Sequence, residues 1–348
     1  MNSISLVAFT RTGCRLARLL AERLAEREAY AGAQFAAFGP ARLAESQGVA
    51  DYGNLQAWTK QRFAQDDALV FVGASGIAVR AIAPHVRDKF SDPAVVSVDE
   101  SGAFAVPLLS GHVGGANELA RAIAQATGGQ AAVSTATDVN ALFAVDEWAA
   151  RRGYAIVERS VAKDISAALL EGRPVGFRSD FALDWQAPPG IVEGDAAIGF
   201  CVSLDDTAQP FERTLHLVPR ICTVGAGCRR DTDPAVFERV LAEALARAHV
   251  SAHAVRVLAS IDVKAAEPAI LKAAQAHGWE TRFYSAEQLK AVPGSFAGSA
   301  FVERTVGVDN VCERAAVAHG GTLIAGKYAE DGVTVAIGCD YDRVIPNE

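Results

Sequence analysis

Short apolar runs rich in β-branched residues alternate along this chain with segments whose apolar residues recur at helical spacing, and glycine turns separate many of them. Ile4–Phe9 is one such run; Thr10–Gly13 makes a turn, and Cys14–Glu28 carries Leu16, Leu19, Leu20 and Leu24 at helical intervals. Ala33–Phe38 reads as the next strand, Asn54–Gln65 as a helix and Ala68–Val72 as a buried strand. Ala94–Val98 and Phe104–Leu109 read as further strands, and Ala116–Thr127 as a helix with Leu119, Ile123 and Ala126 on one face. Alternation of this kind builds mainly parallel sheets flanked by helices, an α/β fold.

The chain has 348 residues, 50% of them hydrophobic, which is more than one core usually serves. A multi-domain organisation is therefore expected. The first α/β domain should span residues 1–145. From there to about Arg213 the pattern weakens: Ala155–Val157 and Pro174–Phe177 look like strands around a helix at Lys163–Leu170, and Gln186–Gly194, with two prolines and two glycines, reads as a loop. Residues 146–213 are taken as a middle module. A separate α/β C-terminal domain is expected over 214–348, opening with a strand from Leu215 to Val224 and a turn through Gly225–Arg230. Asp233 followed by Pro234 starts a helix, as cap and first helical residue. Val255–Ser260 and Thr281–Tyr284 follow as strands, Glu267–His277 as a helix ending at Gly278, and Ser285 to Gln288 has capping-box spacing. Asn310–Ala318 reads as the last helix, with Leu323–Ala325 and Val333–Ile337 as the final strands.

A net charge of -8, with both signs interspersed, argues against a nucleic-acid partner held by phosphate contacts. The six cysteines, Cys14, Cys201, Cys222, Cys228, Cys312 and Cys339, form no C-x-x-C pair; their scatter suits a reducing cytoplasm. The N-terminal run lacks a preceding basic segment and reads as a strand rather than a signal peptide. The longest apolar stretch, Ala68–Val79, is too short and too interrupted to span a bilayer, so no membrane partner is expected.

The most informative segment is Leu109–Glu118, with Ser110, Gly111, His112, Gly114, Gly115 and Asn117 between a strand and a helix. Glycines there let a ligand approach the backbone, the helix start offers free N–H groups, and a histidine can move protons near neutral pH. A tight turn with a backbone-bonded histidine is the other reading. A second turn, with Gly73, Ser75, Gly76 and Arg80, also follows a buried strand; in a parallel sheet such turns gather at the carboxyl ends, where ligands usually sit. Asp138 and Asn140, in Thr135–Asn140, are helix caps or substrate contacts. Gly225, Gly227, Arg229 and Arg230 repeat the strand, glycine turn and arginine theme, and Lys264 follows a strand. Arginines can grip carboxylates in bidentate fashion, so these glycine turns together point to a polyanionic small molecule. No phosphate loop or dinucleotide glycine pattern is present. His249, His253, His277 and His319 sit near helix ends, and no histidine pair has metal-ligand spacing.

Two groups of motifs together carry a resemblance. GASGIAVRAIAPHVRDKFSDPAVVSVDESG (Gly73–Gly102), LLSGHVGGANELARAIA (Leu108–Ala124) and TATDVNALFAVDEWA (Thr135–Ala149) closely resemble the N-terminal part of the cobalt-precorrin-5A hydrolases, the CbiG family. VGAGCRR, ASIDVKAAEPAIL, FYSAEQL, VGVDNVCERAAV and DGVTVAIG, from Val224 to Gly338, resemble its C-terminal domain. The likeness is weakest before Ala68 and over Arg151–Arg213. The arginine turn departs from the family pattern, with alanine between the glycines where isoleucine is expected and Asp231 where glycine is expected.

The resemblance implies a cobalt-corrinoid substrate fringed with acetate and propionate groups, in the anaerobic route to cobalamin. It implies addition of water to a δ-lactone and release of the extruded two-carbon unit as acetaldehyde. His112, with Ser110 beside it, would then be the catalytic group, and Gly111, Gly114 and Gly115 would polarise the lactone carbonyl or hold a carboxylate. Gly73, Ser75, Gly76, Arg80, Asn117, Asp138, Asn140, Gly225, Gly227, Arg229, Arg230 and Lys264 would contact substrate. No cofactor and no metal of the protein's own is expected, because the cobalt arrives with the substrate. A homodimer through the alanine-rich helices, and transient contacts with neighbouring pathway enzymes, are the protein partners considered. The rival reading is a corrinoid-binding carrier without catalysis.

Overall fold

The computed structural model describes residues 1–88, 91–112, 114–135, 140, 142–183 and 185–344. The chain divides into two compact units, Met1–Glu147 and Trp148–Glu348.

In the first unit, β1 (Ser3–Ala8) leads through α1 (Arg11–Ala25) to β2 (Gln34–Gly39), α2 (Ala41–Gln47) and β3 (Ala50–Asp51). Then come α3 (Leu55–Gln65), β4 (Ala68–Val72), α4 (Ser75–Ile82), β5 (Ala94–Val98), β6 (Phe104–Leu109), α5 (Ala116–Thr127) and β7 (Gln130–Ala131). The strands form one sheet in the order β3-β2-β1-β4-β5-β6-β7. The β1–β2, β1–β4, β2–β3 and β4–β5 pairs are parallel, but β6 runs antiparallel to β5.

Both faces of this sheet are covered, which is why its central strands are largely apolar. Leu6, Val70 and Val96 pack with Leu20, Leu24, Leu119 and Ile123 on one face. Val7, Leu69 and Phe71 pack with Trp58, Phe63 and Ile82 on the other. Fully burying a side chain such as Phe71 contributes about 1.5–3 kcal/mol before entropy is counted. Thr10 caps α1, accepting from the Gly13 N–H at 3.1 Å, so the helix begins inside the expected turn. The pair α2 and β3 carried no periodic signal because α2 buries none of its residues.

The second unit holds two sheets. After α6 (Val145–Arg151), which crosses from the first unit, the strands β8 (Tyr154–Ile156), β9 (Val175–Ser179), β10 (Ile191–Glu193), β11 (Ile198–Val202) and β12 (Arg213–Pro219) form a sheet ordered β10-β9-β11-β12-β8. Only β8 is antiparallel to its neighbour. α7 (Arg159–Leu170) buries Val161, Ile165 and Leu169. The expected loop Gln186–Gly194 thus contains β10, whose Ile191 pairs with Val175.

The last sheet is ordered β15-β14-β13-β17-β16, from β13 (Cys222–Cys228), β14 (Val255–Ile261), β15 (Glu280–Tyr284), β16 (Thr322–Glu330) and β17 (Val333–Cys339). Its helices include α8 (Pro234–Arg247), α9 (Pro268–His277), α10 (Ala286–Ala291), α11 (Ala300–Val306) and α12 (Cys312–Val317). Asp233 caps α8 with Pro234 at its start, and both bonds of the Ser285–Gln288 capping box are present.

Two expectations are corrected here. The run Leu215–Val224 is not one strand: Pro219 ends β12, which pairs with β11 and β8, and β13 begins a different sheet. Gly225–Cys228 is not a turn either. It continues β13, paired with β17 as far as Cys228 opposite Val333, and the chain turns only after Cys228. Gly225 is glycine because α12 crosses it closely; a Cβ there would lie 1.9 Å from the Cys312 carbonyl oxygen and 2.5 Å from the Ala316 nitrogen.

Candidate functional site

Strand direction decides which glycine turns share an edge of the first sheet. Gly73 follows β4 at the carboxyl ends of the parallel strands, where its N–H donates to the Val98 carbonyl at 2.7 Å. Because β6 is antiparallel, Leu109 pairs with Val95, and the Ser110–Gly115 loop emerges at the opposite edge. A strand of five residues, at about 3.3 Å per residue, separates the two turns by roughly 16 Å. They cannot line one small site on this unit, contrary to the expectation that such turns gather at one edge.

The histidine loop is tightly built. Ser110, at φ 55, is 8% exposed, and its hydroxyl donates to the Asp92 carbonyl at 2.9 Å. Its proton is directed into the fold, so Ser110 pins the loop to the segment that leads into β5. Asn117 is buried; its backbone N–H donates to the Gly111 carbonyl at 3.0 Å and its side-chain nitrogen to Thr135 Oγ1 at 3.0 Å. Asn117 therefore holds the loop against the segment leaving β7. Gly111 must lack a side chain, since a Cβ would meet Asn117 Oδ1 at 2.8 Å. The Gly115 N–H, expected to face a ligand, is taken by the His112 carbonyl at 2.9 Å. Among the described residues the N–H groups of Gly111 and Gly114 have no acceptor, leaving two donors beside the histidine.

The His112 side chain is 15% exposed, and its Nδ1 lies 3.7 Å from Asp146 Oδ1. Asp146, in the first turn of α6, is buried. The sequence reading missed Asp146. The only signal available was its place within the motif TATDVNALFAVDEWA, because the two residues are far apart in the chain and come together only because β7 runs parallel to β6.

The other expected residues are scattered. Ser75 Oγ and Ser97 Oγ are 3.1 Å apart, and Arg80 folds back onto the Gly76 carbonyl at 3.2 Å, with Gly76 and Arg80 exposed. Asp138 lies outside the described residues, and Asn140 is exposed. Gly227 lies within β13, where a Cβ would meet Thr334 Oγ1 at 2.8 Å. Arg229 and Arg230 are exposed and have no side-chain partner among the described residues. Lys264 pairs with the buried Glu267 at 2.8 Å. Burial pushes the neighbouring Cys228 thiol up. Among the described residues no cluster of three or more His, Cys, Asp or Glu could hold a metal ion.

The second unit has two adjoining cavities, about 570 and 340 Å³, at the carboxyl ends of β9, β10 and β11. Phe177, Phe181 and Trp185 line the larger, and Arg178, Ser179 and Asp180 border both. Asp180 and Glu193 set two carboxylates against the single Arg178, a poor match for a polyanion. Burial pushes the Cys201 thiol, in the smaller cavity, up to about 12. Among the described residues no helix is long and apolar enough to cross a membrane.

Comparison with known proteins accounts for both units. Family models described as cobalamin synthesis G N-terminal, cobalamin biosynthesis central region and cobalamin synthesis G C-terminus match residues 57–138, 143–219 and 222–338. The chain is 34% identical over 353 residues to a cobalt-precorrin-5A hydrolase of Salmonella typhimurium, covering 97% of each. It is 27% identical over 355 residues to a protein of the same name from Priestia megaterium, covering 96% of this chain and 94% of that one. Protein CobE of a Sinorhizobium species matches at 40% identity over 119 residues, 33% of this chain and 77% of that one. The end-to-end match and the three successive family segments lead to one conclusion: this chain belongs to the CbiG family of cobalamin biosynthesis proteins.

Proposed function

We propose that this chain is a cobalt-precorrin-5A hydrolase. Water opens the δ-lactone that joins the ring A acetate to the extruded two-carbon unit; the carboxylate keeps the water oxygen, and the freed alkoxide collapses to acetaldehyde. The carbon–carbon bonding pair stays on the macrocycle, and cobalt-precorrin-5B remains. The observation that carries this reading is the match along 97% of the chain to a relative bearing that name.

His112 is the proton-transfer group, taking a proton from water and returning one as the carbon–carbon bond breaks. The Gly111 and Gly114 amides face the lactone carbonyl oxygen as its charge develops. Ser110 and Asn117 hold the loop in shape. Arg229 and Arg230 are cationic and unengaged, which suits the carboxylate fringe of the substrate. The Gly73–Arg80 turn lies at the far edge of the sheet and takes no part in the chemistry at His112. With all six cysteines free, the protein works in the reducing cytoplasm.

The test is anaerobic incubation of the purified protein with cobalt-precorrin-5A and an assay for acetaldehyde. Release matched by loss of the two-carbon unit supports the reading. Tight binding without acetaldehyde would make the protein a corrinoid carrier.

A further inference from the structure

We infer that Asp146 is the positioning residue for His112: its buried carboxylate faces Nδ1 and aims the other ring nitrogen, Nε2, at the reacting group. The inference rests on the reading of His112 as the proton-transfer group.

Burial is the first ground. Asp146 heads α6 between Val145, which is fully buried, and Glu147, whose N–H donates to Asp146 Oδ1 at 3.1 Å. An acidic residue in the first turn of a helix usually answers the helix dipole from the surface. The Asp146 side chain is instead 8% exposed and lies 3.7 Å from the imidazole. Withdrawing a carboxylate from water is costly unless cationic or hydrogen-bonding partners face it.

The loop supplies the second ground. Gly111, which precedes His112, carries no side chain that could fix its ring. Nearby residues instead hold the backbone: the His112 carbonyl accepts from Gly115, and Asn117 ties down Gly111. The Asp146 carboxylate, 3.7 Å from Nδ1, is a charged group placed to orient the imidazole. A neutral imidazole carries one proton, and the nitrogen beside a carboxylate keeps it. Nε2 is thereby left as the basic nitrogen. When it takes a proton from water, the new positive charge forms beside Asp146, which holds it without itself accepting the proton. The separation of 3.7 Å is longer than a hydrogen bond, as is common in sites without substrate, and substrate binding closes it.

The test uses the whole protein and two readouts. The first is nitrogen NMR of the histidine rings without substrate. The wild type should carry the His112 proton on Nδ1, Asp146→Asn should move the ring toward the other tautomer, and Asp146→Glu should keep the wild-type pattern. The second is acetaldehyde release, where Asp146→Asn should lower kcat by about 10- to 100-fold with KM changed less than about twofold, and Asp146→Glu should recover part of the loss. An unchanged kcat in Asp146→Asn overturns the inference. So does a fall in kcat with the His112 signals unmoved, because Asp146 would then be structural support only. Should Asp146→Asn fail to fold, Asp146→Glu decides: wild-type ring signals with partial activity sustain the inference, and altered signals with full activity overturn it. A wild-type protein that releases no acetaldehyde defeats the hydrolase reading instead, and the NMR comparison still decides the pairing.

Discussion

At the scale of the residue, His112 combines a partly exposed ring, a glycine-rich loop and a carboxylate neighbour. His216 also meets a carboxylate, Glu158, at 2.8 Å, but its ring is fully buried and its second nitrogen faces the Ala208 carbonyl, so it cannot reach a ligand. We expect His112→Ala to lower kcat for acetaldehyde release by about 10²–10⁴-fold, the range for loss of a general acid or base; turnover within threefold of wild type would exclude His112 from the chemistry. Gly225 tests the opposite kind of residue. Gly225→Ala should destabilise the protein by about 1–3 kcal/mol, because the backbone of α12 has to move. Urea unfolding measures it, and an unchanged midpoint would show that α12 yields without strain. Both residues sit in motifs legible from sequence, but only His112 is proposed to take part in the chemistry. A glycine before an arginine looks the same in sequence whether it admits a ligand or a helix.

At the scale of the element, the reversal of β6 is the feature that organises the first unit. The hairpin joining β5 to β6 is held by Asp99. Burial alone would raise that carboxyl, but hydrogen bonds from the Ser101 hydroxyl and from the amides of Phe104, Ser101 and Ala103 outweigh it and leave it below its ordinary value of 3.8. A carboxylate depressed in the folded state adds stability above its unfolded value, and the gain is lost as pH falls through the folded one. Asp99→Asn should therefore be less stable than wild type at neutral pH, with the gap closing below about pH 4, as the carboxylate in wild type is protonated. Thermal unfolding at the two pH values measures the gap, and one independent of pH would contradict the hydrogen-bonding account. Strand positions along β4, β5 and β6 were legible because each is a short apolar run bounded by turn residues. Their directions were not, since the same apolar run serves a parallel or an antiparallel neighbour.

At the scale of the whole molecule, the reading as a corrinoid enzyme makes a prediction that needs no turnover. Anaerobic cobalt-precorrin-5A at about 100 times its dissociation constant should stabilise the native state by about 2.7 kcal/mol and raise the melting temperature, while ATP and NAD should leave it unchanged. A shift with a nucleotide alone would favour a nucleotide-binding role instead.

The sequence by itself determined the α/β class, the strand and helix positions over most of the chain, the helix caps at Asp233 and Ser285, and, through its motifs, the family. These depend on local periodicity, on turn chemistry and on residue order, all of which are written along the chain. Only the tertiary structure decided that the Gly73 and Ser110 turns stand at opposite edges, that Gly225 makes room for a helix, and that Asp146 meets His112. Those depend on strand direction and on contacts between residues distant in sequence, which arise only when the sheet is assembled and its faces are covered.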